Sequence, residues 1–191
     1  MGEPIKIVPY NPDWADTFSR LRDFVAPVLG DTALTIEHVG SSAVPGLAAK
    51  PIIDMDVVVA SVEKVPVAVE RLESLGYRHE GDLGIHGREA FRAPEDLPEH
   101  HLYVCSADTP ELRKHRMFRD YLRSHPDEAK TYAELKMALA DQFAHDREAY
   151  TESKSVFISS RLKWGGGTSK AVLERGGDLC SIRLYRILMS L

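Results

Sequence analysis

Apolar side chains recur at two different spacings along this chain, and the change of spacing divides it. Trp14, Phe18, Leu21, Val25 and Val28 fall three and four residues apart, which predicts a helix. Asn11 is placed to cap that helix, Pro12 to open it and Gly30 to stop it. Short apolar runs then follow, at Leu34 to Val39 and Ile52 to Ala60, bounded by Gly and Pro and read as strands. Ile5 to Val8 reads as a further short strand. Pro66 sits at the start of a second helix carrying Val65, Val69 and Leu72, with Gly76 beyond it. Tyr77 to Glu80, Glu89 to Ala93 and His101 to Cys105 read as three more strands, the last two joined by the acidic loop Pro94 to Glu99.

After Cys105 the spacing is helical. Thr109 and Pro110 open one helix, with Phe118, Tyr121 and Leu122 on its apolar side and Arg116, Arg119 and Arg123 as a basic stripe beside them. Pro126 opens another, with Tyr132, Leu135, Leu139 and Phe143 on one face, and Asp146 caps a third that runs through Tyr150 and Lys154 to Phe157. Strands grouped in the first half and helices in the second give an α+β fold, a mixed sheet flanked by helices and closed by a C-terminal helical segment.

One stretch carries unusual chemistry. Asp54 and Asp56 interrupt the apolar run from Ile52 to Ala60, and the two-residue period of a strand puts both on one face. Adjacent carboxylates repel and lose hydration if buried, a conflict that a hard cation such as Mg²⁺ would remove and that a simple polar strand face would avoid. Upstream, Gly40-Ser41-Ser42 supplies small residues, hydroxyls and free backbone N–H groups, the ingredients of a phosphate cradle or of a tight turn. Lys50, just before Pro51, either reaches a phosphate or is solvated.

The Gly-Ser turn followed about a dozen residues later by Asp-x-Asp resembles the nucleotidyltransferase superfamily. More narrowly, the run from His38 to Asp54 resembles the GrpB family, and the likeness continues through His100 to Val104, Phe118 to Pro126, Tyr132 to Lys136 and Asp146 to Lys154. The resemblance implies a nucleotidyltransferase-like fold and a metal-dependent transfer of a nucleoside monophosphate from an NTP to a small-molecule acceptor hydroxyl. It implies Mg²⁺ or Mn²⁺ on Asp54 and Asp56, with phosphate held by Gly40, Ser41 and Ser42. Many enzymes of the superfamily carry a third carboxylate on a later strand, where this chain has His101. That imidazole reads as a ligand suited to Mn²⁺, as an acid or base, or as a polar core residue. Lys50, Arg92 and Arg119 are the cations assigned to phosphate, with Arg88, Arg116, Arg123 and Lys136 in reserve. The alternative function is a non-catalytic nucleotide- or phosphometabolite-binding module. A metal site at Asp54 and Asp56 carries its own expectation: replacing either by Asn leaves the metal-free melt unchanged or slightly raised.

Composition narrows the partners. At 191 residues, 43% of them hydrophobic, the chain fits one ordinary domain, which the motifs place at residues 1–162. A net charge of -5 makes a nucleic-acid partner unlikely. Two cysteines exclude a disulfide framework, and the absence of a signal core or of a long apolar run points to a cytoplasmic protein without a membrane partner. Residues 163–191 read as a Gly-rich linker and tail, with an apolar end that packs on the body or supports oligomerisation.

Overall fold

The computed structural model describes residues 4–161. The tail at 163–191, with the domain boundary and oligomer contact expected there, lies outside the described residues. Ten elements carry the fold: α1 (Asp13–Leu29), β1 (Ala33–Val39), β2 (Ile53–Val59), α2 (Val65–Glu73), β3 (Arg78–Gly81), β4 (Arg88–Arg92), β5 (His100–Ser106), α3 (Pro110–Ser124), α4 (Pro126–Gln142) and α5 (Arg147–Arg161). The strands form one mixed sheet in the order β1-β2-β5-β4-β3. Only β2 and β5 run parallel, and α2 with the β3–β4 pair supplies the crossover that parallel strands require. The α+β class is therefore the one observed.

Local chemistry sets the helix starts. Asn11 Oδ1 accepts the Asp13 amide at 3.0 Å, and Asp146 Oδ1 accepts the Ala149 amide at 3.0 Å. Thr109 does not cap α3 with its hydroxyl, which instead meets Ser106 Oγ at 2.8 Å and the Gly87 carbonyl at 3.3 Å. The strand expected at Ile5 to Val8 shrinks to one bridge between Val8 and Ala49. Pro9 and Pro51 flank the two sides, and a residue without an N–H cannot extend a ladder.

The sheet is covered on both faces, so all of β2 is buried. On one face Met55, Val57 and Val59 join Leu102, Val104 and Phe91 beneath Leu21, Val25 and Leu29 of α1 and Ala68 and Leu72 of α2. That face holds the main apolar core. The other face presents Asp54 and Asp56 beside their partners His101 and Tyr103 on β5. α3 to α5 pack over this polar face, with a second core in which Phe118, Leu122, Tyr132 and Ile158 meet the loop residues Val44 and Leu47. No helix among the described residues is long and apolar enough to cross a membrane.

Candidate functional site

Gly40 stands at φ 73 and ψ -170, a region open almost only to glycine. A Cβ there would lie 2.3 Å from Asp54 Oδ2. The turn and the strand carboxylate thus touch, and the glycine is needed twice over, for backbone and for space. Ser41 and Ser42 follow in a short 3₁₀ turn and are both buried. His38 orients it: its Nε2 lies 3.2 Å from Ser42 Oγ, and its ring stacks on Phe18 at 4.6 Å. Burial, with Arg123 and Arg119 adding to it, pulls the His38 pKa down to about 4, so the imidazole is neutral.

Ser41 is held from α4. Lys136 is 2% exposed and donates to Ser41 Oγ at 3.0 Å and to the Ala48 carbonyl, with its ammonium 4.7 Å from the Tyr132 ring centroid. Burial drives its pKa well down, the neighbouring Lys154 adding to the effect. Lys154 repeats the arrangement one helix later, 4.5 Å from the Tyr150 ring, and Lys50 lies 5.1 Å from the same ring. Burial first and the Lys50 charge second bring Lys154 to about 7, and Lys50 is lowered by burial and Arg147.

These groups line one cavity of about 250 Å³, together with Ser41, Ser42, Asp54, His101, Arg147 and Thr151. Of these, Arg147 is itself exposed to solvent. Three lysines and an arginine face one carboxylate here. The imidazole across the cavity is paired with that carboxylate, His101 Nδ1 donating to Asp54 Oδ1 at 2.8 Å. Burial works against the charged imidazole, but the bond and charge of Asp54 outweigh it and the His101 pKa is raised. His101 should therefore titrate above its ordinary 6.5, and Asp54→Asn should drop it below that value. NMR of the ring resonances across the neutral range measures both.

Asp56 has a different environment. It is fully buried, absent from the cavity wall, and accepts from His115 Nδ1 at 2.6 Å. His115 is 2% exposed, and the Asp56 charge and bond overcome burial to raise its pKa. Asp56 Oδ1 and His115 Nε2 have no hydrogen-bond partner. Tyr103 lies between the two histidines, its ring centroid 6.3 Å from His101 and 6.5 Å from His115, with the Arg88 guanidinium 4.1 Å away over the ring. Two Asp–His pairs thus replace the shared carboxylate site expected from the sequence.

The donor set does not fit a Mg²⁺ or Mn²⁺ ion held by Asp54, Asp56 and His101. Each carboxylate already faces an imidazole, and among the described residues no group of three or more His, Cys, Asp or Glu side chains is arranged to hold a metal.

Of the cations assigned to phosphate, Lys50 lines the cavity, while Arg92 and Arg119 do not. Arg92 is exposed and pairs with Arg78 on β3. Arg119 bonds Glu37 Oε2 at 2.7 Å and the His38 carbonyl at 3.0 Å, and Arg116 bonds Glu37 Oε1 at 2.8 Å. Arg123 donates to the Ala43 carbonyl at 2.7 and 3.0 Å. The basic stripe clasps α3 to β1 and to the turn. Sequence reasoning missed Lys154, Arg147 and His115 as site residues and left Lys136 in reserve. The signal for two of them was present: Tyr132 to Lys136 and Tyr150 to Lys154 each place a lysine one turn after a buried tyrosine, on the apolar side of a helix.

Residues 4–163 match the family described as GrpB protein. The chain belongs to the GrpB family. Glutamate-rich protein GrpB of Alkalihalophilus pseudofirmus is 34% identical over 166 residues, covering 84% of this chain and 95% of that protein. The UPF0157 protein YqkA of Bacillus subtilis is 36% identical over 171 residues, 87% of this chain but 50% of its own, so this chain spans half the length of that relative. The crystal structure of conserved protein GrpB from Enterococcus faecalis matches with a TM-score of 0.73 at 35% identity, over 81% of this chain and 93% of that one.

Proposed function

We propose that this GrpB protein binds the phosphate group of a nucleotide or phosphometabolite in the cavity between β2, α4 and α5. The observation that carries the reading is the convergence of Lys50, Lys136, Lys154 and Arg147 on a space that holds one carboxylate. Crowded, desolvated cations disfavour their own charged forms, as the lowered lysines do. An anion reverses that. Lys136 fixes the Gly40-Ser41-Ser42 turn against α4, while Lys50, Lys154 and Arg147 line the same cavity and offer their charge to phosphate oxygens.

A second reading adds transfer chemistry, and the Asp54–His101 pair favours it. With Nδ1–H donated to Asp54, Nε2 is the ring nitrogen left to exchange a proton with a ligand hydroxyl. Nucleotidyl transfer from an NTP to an acceptor hydroxyl is the form that the superfamily relation suggests. A relative named dephospho-CoA kinase in Mycolicibacterium paratuberculosis is 24% identical over 180 residues, which span 44% of its own length. ATP and dephospho-CoA are accordingly the first ligands to try.

Thermal shift and calorimetry with ATP, ADP, dephospho-CoA and pyrophosphate test the binding reading, and indifference to all four would end it. Lys154→Met provides a sharper check. Losing one charge-assisted bond should cost the ligand roughly 1.5 to 3 kcal/mol of affinity. The ligand-free protein should respond in the opposite direction. A lysine whose folded pKa lies near 7, below its unfolded value, penalises folding fully below that pH, and the penalty fades as pH rises toward the unfolded value. Lys154→Met should therefore be more stable than the parent at neutral pH and lose part of the rise in stability between pH 7 and 10. Urea titrations across that range read the difference.

A further inference from the structure

Resting on the phosphate reading, we infer that this chain takes its phosphorylated ligand in the metal-free form, with Lys50, Lys154 and Arg147 supplying the countercharge that a divalent ion would supply. Three placements carry this. First, Asp56, the second carboxylate of the Asp-x-Asp motif, is fully buried, lies outside the cavity wall and is joined to His115 at 2.6 Å. His115 sits on α3, the helix whose Leu112 packs against Val58 and Cys105, so Asp56 is held under a packed element rather than at the cavity's edge.

Second, the remaining carboxylate is bonded at one oxygen and closely approached at the other. Asp54 Oδ1 accepts from His101 at 2.8 Å, and Asp54 Oδ2 lies against the Gly40 backbone, where an added Cβ would come within 2.3 Å. A cation bridging Asp54 to a phosphate would have to enter between these contacts. Third, the charge balance of the cavity is already cationic. Lys136 and Lys154 are each 2% exposed, Lys50 is half-buried and Arg147 is exposed, and among the described lining residues Asp54 is the one carboxylate. A ligand arriving as its Mg²⁺ complex would bring less negative charge into a space whose wall is cationic. The free polyanion brings the opposite charge and neutralises it.

Charge also decides the class of ligand. Lys50, Lys154 and Arg147 together suit a group carrying more than one negative charge, such as a terminal phosphate or a pyrophosphate, over a single carboxylate. The cavity of about 250 Å³ accommodates such a group.

The experiment is calorimetric titration of the full chain with ATP and with pyrophosphate, once in EDTA and once in excess Mg²⁺. Binding should be complete in EDTA and weaken severalfold in Mg²⁺, because the ion removes free ligand. Lys154→Met should lose at least tenfold of the EDTA affinity, and Mg²⁺ should not restore it. Asp54→Asn should keep binding within a few fold in EDTA, since no ion has to be held there. Melting curves confirm that each variant is folded before titration. Binding that appears only with Mg²⁺, or that Asp54→Asn abolishes in a folded protein, overturns the inference and leaves phosphate binding standing. Absence of binding under both conditions overturns both.

Discussion

Asp56→Asn should lower stability at neutral pH by about 3 kcal/mol, the lower end of what breaking one half of a buried ion pair costs. Asp56 is fully buried and His115 is 2% exposed, so water cannot replace the lost partner. The figure stays at the lower end because His115, no longer held charged by Asp56, escapes part of the penalty by releasing its proton. This is opposite in sign to a carboxylate kept for a metal, whose removal relieves repulsion in the metal-free protein. Urea unfolding of Asp56→Asn, His115→Leu and the double variant measures it, and the double variant should lose less than the two singles together. A single Asp56→Asn variant as stable as its parent would return Asp56 to the role of a metal ligand.

Gly40→Ala should be comparably damaging and should also disable the site. The backbone at φ 73 and ψ -170 costs a non-glycine residue about 1 to 3 kcal/mol, and the new methyl needs space now filled by Asp54 Oδ2 at 2.3 Å. The strained turn also carries Ser41 and Ser42, which line the cavity, so ligand affinity should fall with stability. Pairing Gly40→Ala with Asp54→Ala separates the two costs: the crowding is relieved and the backbone strain is not. Recovery of about half the lost stability is the expected result. Full recovery would mean that the backbone tolerates alanine, and none would mean that Asp54 is not what the methyl meets.

The same two motifs show how far local chemistry reached. The turn at Gly40 and the strand bearing Asp54 and Asp56 were legible because both are local: a glycine-serine turn needs small residues, and strand period alone places i and i+2 on one face. His101 was reached through the superfamily resemblance, which puts a third ligand on a later strand, and its register pairing with Asp54 on a parallel neighbour came from the fold. The helix starts at Asn11 and Asp146 were read from side chains that bond amides two and three residues away.

What strand parity leaves open is which element covers each carboxylate. Asp56 pairs with a histidine 59 positions along the chain, and nothing near either residue announces it. The basic stripe on α3 failed as a ligand surface for the same reason. Arg119 and Arg116 meet Glu37, 82 and 79 positions away, and a carboxylate brought that close satisfies them before any ligand does. Lys136 and Lys154 went the other way: in an apolar stripe a lysine reads as an edge residue, yet packing drew both inward, one of them onto Ser41 across 95 positions. Sequence by itself determined the family, the α+β class, the turn and the face on which the carboxylates lie, because those depend on neighbours within a few residues. Only the tertiary structure decided that Asp54 keeps the cavity while Asp56 leaves it, and which cations face inward. Burial is decided by the packing of α3, α4 and α5 over the sheet, and the charge of a buried group is set by whichever partner that packing delivers.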